Sequence, residues 1–137
     1  IVEVCADYAL RALGSWENFD IPDVYSLCMK LEDGTPFSLT SACTMHKGGF
    51  SSATEFLFDG FRLETRRRTI KTLPKANPEL DGEHTHDSSI DHAFIEAVRA
   101  GDRSGILSDY SDAVRSLAVS LAANESAASG CKVAVIA

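Results

Sequence analysis

Apolar positions alternate with polar ones through the first half of the chain and recur at three- and four-residue steps in the last third. The opening Ile1-Val2-Glu3-Val4 reads as a strand over residues 1–6. The stretch from Tyr8 to Pro22 reads as irregular, with Gly14, Ser15, Asn18 and Asp20 turning around Trp16 and Phe19. Between Val24 and Leu31 one face carries Tyr25, Leu27, Met29 and Leu31, and the other Val24, Ser26, Cys28 and Lys30. Alternation resumes from Phe37 to Met45, with Phe37 and Leu39 set against Ser38, Thr40, Ala42 and Thr44.

The turn between these two strands follows from their faces. A two-residue Asp33-Gly34 turn would set Met29 opposite Ser38 and mix the faces. A three-residue loop of Glu32-Asp33-Gly34, with Gly34 left-handed, pairs Met29 with Phe37 and Leu27 with Leu39. The second register is predicted because it buries one coherent apolar face. A second hairpin, turning at Asp59-Gly60, pairs Phe58 with Phe61 and Phe56 with Leu63. Thr69–Leu73 reads as a further strand ended by Pro74, and Lys75 to Asp87 as a surface loop. Ser88 and Asp91 stand at capping-box spacing before Phe94, Ile95 and Val98, and Gly101 and Gly105 end that helix. Ser108 is expected to cap a longer helix with Asp109 and Asp112 at its positive end and Gly130 just past its other end. Tyr110, Val114, Leu117 and Leu121 form its apolar stripe, while Ala113, Ala118, Ala122, Ala123, Ala127 and Ala128 keep its sides slim. Lys132 to Ile136 closes as a last strand.

Strands first and helices last predict an α+β fold: an open, mostly antiparallel or mixed sheet with the C-terminal helices on one face. The 137 residues fit a single domain over 1–137. A chain that opens inside a strand is expected to be part of a longer polypeptide. Thirteen basic against 20 acidic residues leave a net charge of −7, which disfavours nucleic acid as a partner. The apolar runs fall far short of the roughly 18 residues of a membrane span, so no membrane partner is expected. Cys5, Cys28, Cys43 and Cys131 are widely spaced, with no Cys-x-x-Cys pair. That is the usage of reduced thiols in a cytoplasmic protein rather than of a disulfide or zinc framework.

Motifs that carry chemistry are sparse. His84, His86, Asp87, Asp91 and His92 are of metal-ligand type, but their spacing matches no metal motif and reads as a solvated loop beside a capped helix, so no metal site is expected. There is no Gly-rich phosphate loop and no G-x-S-x-G elbow. The Arg66-Arg67-Arg68 triplet reads as charge that discourages pairing at a strand edge. Glu55 and Glu64 fall opposite each other on the second hairpin, with Arg62 placed to relieve them. His46, Lys47 and Phe50, around Gly48-Gly49 after a core strand, are the candidates for a substrate cleft. Ser26, Cys28, Ser38, Thr40, Ala42 and Thr44 make a face of small, nearly uncharged side chains, the candidate for an oligomer interface.

Phe94-Ile95-Glu96-Ala97-Val98-Arg99-Ala100-Gly101, Ser108-Asp109-Tyr110-Ser111-Asp112-Ala113 and the run from Leu121 to Val133 resemble the C-terminal end of the glucose–fructose oxidoreductase/inositol dehydrogenase (Gfo/Idh/MocA) family. Val2-Glu3-Val4-Cys5-Ala6 and the hairpins at Glu32-Asp33-Gly34 and Asp59-Gly60 fall in the expected order, so the resemblance covers nearly the whole chain. It implies the substrate-binding and oligomerisation domain of an NAD(P)-dependent oxidoreductase acting on a sugar, inositol or related polyol. NAD or NADP would be bound by an N-terminal Rossmann domain absent from this sequence. The family's catalytic Glu-Lys-Pro and Asp-x-x-x-His have no matching positions here, so no catalytic or cofactor-binding residue is expected in this chain, and by itself it should be inactive. The resemblance further implies a homo-oligomer, dimer or tetramer, packed through the open sheet face. The alternative is a non-catalytic binding or assembly module sharing the fold.

Overall fold

Alternating strands followed by amphipathic segments give the α+β class in the structure, a computed structural model that describes residues 1–43, 51–74, 77–83 and 90–136. The described residues form β1 (Glu3–Ala9), β2 (Val24–Lys30), β3 (Pro36–Ala42), β4 (Ala53–Phe58), β5 (Phe61–Arg66), β6 (Thr69–Leu73), β7 (Gly82–Glu83), α1 (Ile90–Ala100), α2 (Tyr110–Ser129) and β8 (Val133–Ala134). The strands make two open antiparallel sheets, ordered β3-β2-β1-β8 and β4-β5-β6-β7. The chain divides into two compact units, Ile1–Lys47 with Leu107–Ala137, and Gly48–Ile106.

In the first unit the β2–β3 register is the one that face coherence demands: Met29 opposite Phe37, Leu27 opposite Leu39, Ser26 opposite Thr40 and Cys28 opposite Ser38. Gly34 closes the loop at φ +91°, a conformation open to glycine and costly for a residue with a Cβ. β1 runs three residues further than the apolar pattern suggests, because Asp7, Tyr8 and Ala9 continue the ladder to Ser26, Tyr25 and Val24, and the Tyr8 and Tyr25 rings meet edge to face at 5.0 Å. Val4, Ala6 and Met29 on one face of the sheet bury against Ala122 and Ala123 of α2. Small side chains on the helix let its axis approach the sheet closely. The last strand is shorter than the apolar run 132–136, pairing only Val133 and Ala134 with β1.

Helix α2 is capped one residue later than expected. Asp109, not Ser108, is the N-cap, its carboxylate accepting the Asp112 N–H at 2.9 Å, while the Ser108 hydroxyl bonds the Asp112 carboxylate. The two candidates are adjacent in sequence, and the one with extended backbone and reach to the third helical N–H takes the cap. Gly130 ends the helix at φ +67°, its N–H bonded to the Ser126 carbonyl.

In the second unit the Asp59-Gly60 hairpin has the expected pairs, Phe58 with Phe61 and Phe56 with Leu63, and the two terminal rings stack at 4.7 Å. Glu55 and Glu64 do face each other. Arg62 approaches Glu55 at 3.4 Å and Arg66 approaches Glu64 at 3.7 Å, so each carboxylate has its own guanidinium. The arginine triplet is not an edge: Arg66 pairs with Thr69, and Arg67, at φ +53°, and Arg68 are the turn of a hairpin. Within the stretch read as loop, β7 adds two residues to β6. The Asp81 carboxylate there receives the Thr72 N–H and hydroxyl and the Asn77 N–H. Helix α1 carries no buried side chain.

Candidate functional site

Not all of the candidate residues can be placed. His46, Lys47 and Phe50, like Thr44, lie outside the described residues, as do His84, His86, Asp87 and Ser88. Asp91 and His92 sit in the first turn of α1, and no group of three or more metal-ligating side chains occurs among the described residues.

The remaining interface candidates do come together. Ser26, Cys28, Ser38, Thr40 and Ala42 are all exposed, and the register sets them in facing rows on the side of the sheet opposite α2. β1 extends this face with Cys5 opposite Cys28 and Asp7 opposite Ser26. The small-residue pattern of β2 and β3 does not itself point to these two. The signal was available: once Val4 and Ala6 face inward, period two places Cys5 and Asp7 outward. Asp7 puts one carboxylate near the centre of the face, and Glu3, opposite Lys30 and bonded to Lys132, brings charge to its rim.

Asp23 holds the loop that flanks this sheet. It is fully buried, and its carboxylate accepts the N–H groups of Arg11, Ala12 and Leu13 at 2.7–2.8 Å. Burial pushes the carboxyl up, but the bonds from Leu13, Arg11 and Ala12 outweigh it and hold the group below the ordinary carboxylate value. The same residue's backbone bonds Ala9 and Cys43, so one position ties the loop to two strands. Fully buried and bonded to three backbone N–H groups, Asp23 anchors structure.

A second side of α2, next to the end of β8, is chemically different. Val114, Leu117 and Leu121 are 42–59% exposed, and with Ala118, Ala134, Ile136 and Glu125 they line an open groove of about 440 Å³. The helix is therefore apolar on two sides, with alanines toward the sheet and larger aliphatic residues outward. No helix is long and apolar enough to cross a membrane, among the described residues.

No protein-family model matches the sequence, and no curated protein matches it. Among solved structures, the “putative oxidoreductase from Thermotoga maritima” shares the fold, with a TM-score of 0.77 at 14% identity. The match covers 98% of this chain and 40% of that chain. The likeness is one of fold. This chain spans less than half the length of the protein it matches.

Proposed function

We propose that this chain is the substrate-binding and oligomerisation part of an NAD(P)-dependent oxidoreductase that acts on a sugar, inositol or related polyol. The observation that carries the reading is the correspondence of nearly the whole chain with one portion of a longer protein described as an oxidoreductase. In this reading NAD or NADP sits on a separate Rossmann domain, because binding a dinucleotide takes a Gly-rich turn at a helix N-terminus that this sequence does not contain. The loop of His46, Lys47 and Phe50 borders the substrate, offering polar groups to hydroxyls and an aromatic face to the sugar ring. The open face of Ser26, Cys28, Ser38, Thr40, Ala42 and Thr44 packs against a second copy.

Three measurements test this. The coding sequence on the 5′ side of Ile1 should encode a strand–G-x-G-x-x-G–helix unit and a Glu-Lys-Pro segment; a reading frame without them turns the assignment into a non-catalytic assembly module. The chain of 137 residues by itself should show no NADH or NADPH binding by fluorescence titration, and stoichiometric binding at micromolar concentration would remove the separate-domain assignment. In the longer enzyme, His46→Ala or Phe50→Ala should raise KM or lower kcat/KM; unchanged kinetics in both take the loop out of the site.

A further inference from the structure

The row across the first sheet that contains Cys5 and Cys28 goes beyond the proposed function. The two cysteines are directly opposite on adjacent antiparallel strands, so their side chains leave the sheet on the same side. Both are free thiols; Cys28 is exposed and Cys5 partly so. Ala6 gives its N–H to Ser126 on the β8 side, so the N–H of Cys5, one residue earlier, points toward β2. Cys5 and Cys28 therefore form a hydrogen-bonded pair, with Cα atoms about 5.5 Å apart. That is inside the window of about 4.4–6.8 Å found in disulfides. The Cβ separation of such pairs, about 4.5–5.5 Å, is wider than the roughly 3.5–4.5 Å that a bridge prefers. A bond here has to draw two strands together against their ladder, and strained, accessible disulfides are the easily reduced ones.

The row has a third member. Continuing the β1–β8 register by one residue places Lys132 beside Cys5. Its ammonium bonds the Glu3 carboxylate at 3.1 Å. Lys132 is held above its ordinary value by that hydrogen bond and by the Glu3 charge, against a smaller opposing effect of burial, with the Cys5 sulfur the least of the contributions. Lys132 therefore stands in the same cross-strand row as the pair, on its Cys5 side, while Lys30 lies two residues along the strand from Cys28.

We propose that, in a protomer whose open sheet face is uncovered, Cys5 and Cys28 form a reversible dithiol–disulfide couple that reacts with glutathione disulfide, with Cys5 as the attacking thiol and Cys28 as the resolving one. The Cys5 thiolate attacks one sulfur of glutathione disulfide, forming a mixed disulfide and releasing one glutathione thiolate. The Cys28 thiolate then attacks the Cys5 sulfur, closing the cross-strand bond and expelling the second glutathione. Two electrons and two protons pass from the protein thiols to glutathione. Lys132 draws the anionic glutathione to Cys5. Such a couple stays reduced in a reducing compartment and closes when the glutathione pool is oxidised.

Each cysteine falls in its own tryptic peptide, residues 1–11, 12–30, 31–47 and 116–132, so peptide mapping reads the linkage directly. The chain is equilibrated in reduced and oxidised glutathione, quenched by acid and digested, both as the native sequence and in a Thr40→Lys, Ala42→Glu background in which a second copy cannot cover the face. The expected product is a linked 1–11/12–30 peptide, lost on adding excess reduced glutathione. Cys28→Ser should stop at a glutathione adduct on Cys5, while Cys5→Ser should accumulate several-fold less adduct on Cys28. Lys132→Gln should slow formation of the adduct on Cys5 severalfold at low salt, with the difference vanishing at high salt. Absence of the linked peptide in both backgrounds, oxidation of Cys43 or Cys131 at the same rate, or a covalent dimer in place of the internal bridge overturns the proposal.

Discussion

The Ser126 hydroxyl oxygen accepts the N–H of Ala6 at 2.9 Å, joining residues 120 positions apart, and donates its own hydrogen to the Cys131 carbonyl at 2.6 Å. β8 is too short to reach Ala6, so a serine from the helix completes the ladder at the point where the strand stops. Ser126 is 1% exposed. Ser126→Ala leaves a buried N–H without a partner, and the expected loss is about 1–3 kcal/mol in urea unfolding of the chain. A loss below about 0.3 kcal/mol would mean that the N–H finds water or another acceptor.

Asp23 gives the fold a defined sensitivity to acid. Its carboxyl is held below the ordinary value of about 3.9, so the folded state binds its proton less readily than the unfolded state. The resulting stabilisation is complete above that ordinary value and is lost as the pH falls through the folded value. Asp33, Asp81 and Asp102 are depressed in the same direction, by bonds from Thr35, Thr72 and Ser104 respectively, so the total acid response is shared. The difference between the native chain and Asp23→Asn isolates one group. That difference in Tm should be largest at pH 7 and shrink steadily below about pH 4; parallel curves would assign the acid response to other carboxylates.

The two apolar sides of α2 predict opposite responses to substitution. Ala123 is 1% exposed against the sheet, so Ala123→Leu forces a large side chain into a filled contact and should cost about 1–3 kcal/mol. Leu117 looks the more important residue in the sequence, yet it is 57% exposed, and Leu117→Gln should change stability by about 0.5 kcal/mol or less in this chain. Denaturant titration of the two variants side by side checks the orientation of the helix. The reverse ranking would place the leucine stripe against the sheet.

These residues also show what is legible in a sequence. The Met29–Phe37 and Phe58–Phe61 pairs could be derived because a slip of one residue moves every side chain to the wrong face, so the apolar pattern allows one register. The orientation of α2 could not. Two apolar stripes share one helix, and size, which sets how closely the helix approaches the sheet, decided in favour of alanine. Nor could the division of the strands between two sheets, because alternation states which face of a strand is apolar and not which strand lies beside it. β7 was beyond reach because two residues have no period. The row of small side chains shared by β2 and β3 was readable from their alternation, while Cys5 and Asp7 join it only once Val4 and Ala6 are known to face inward.

The final prediction concerns self-association through the open face. Ser26, Cys28, Ser38, Thr40 and Ala42 are exposed in facing rows, and side chains of this size let two sheets approach to about 10 Å. An isolated sheet face in water ordinarily carries long charged side chains, whereas here Asp7 is the charge nearest the centre of the face among the described residues. A two-fold contact would set the same rows against each other without requiring a second kind of partner. Thr40→Lys with Ala42→Glu places two charges inside that contact, each of which has to be desolvated or push the sheets apart. Sedimentation equilibrium under reducing conditions should therefore give a dimer or tetramer for the native chain and a monomer for the double variant. The exposed stripe of α2 is the competing route, and Leu117→Gln separates the two: association through the sheet is indifferent to it, whereas association through the helix is abolished by it. A monomeric native chain, or a dimer that survives both charges on the sheet, would end the assignment of this face as the interface.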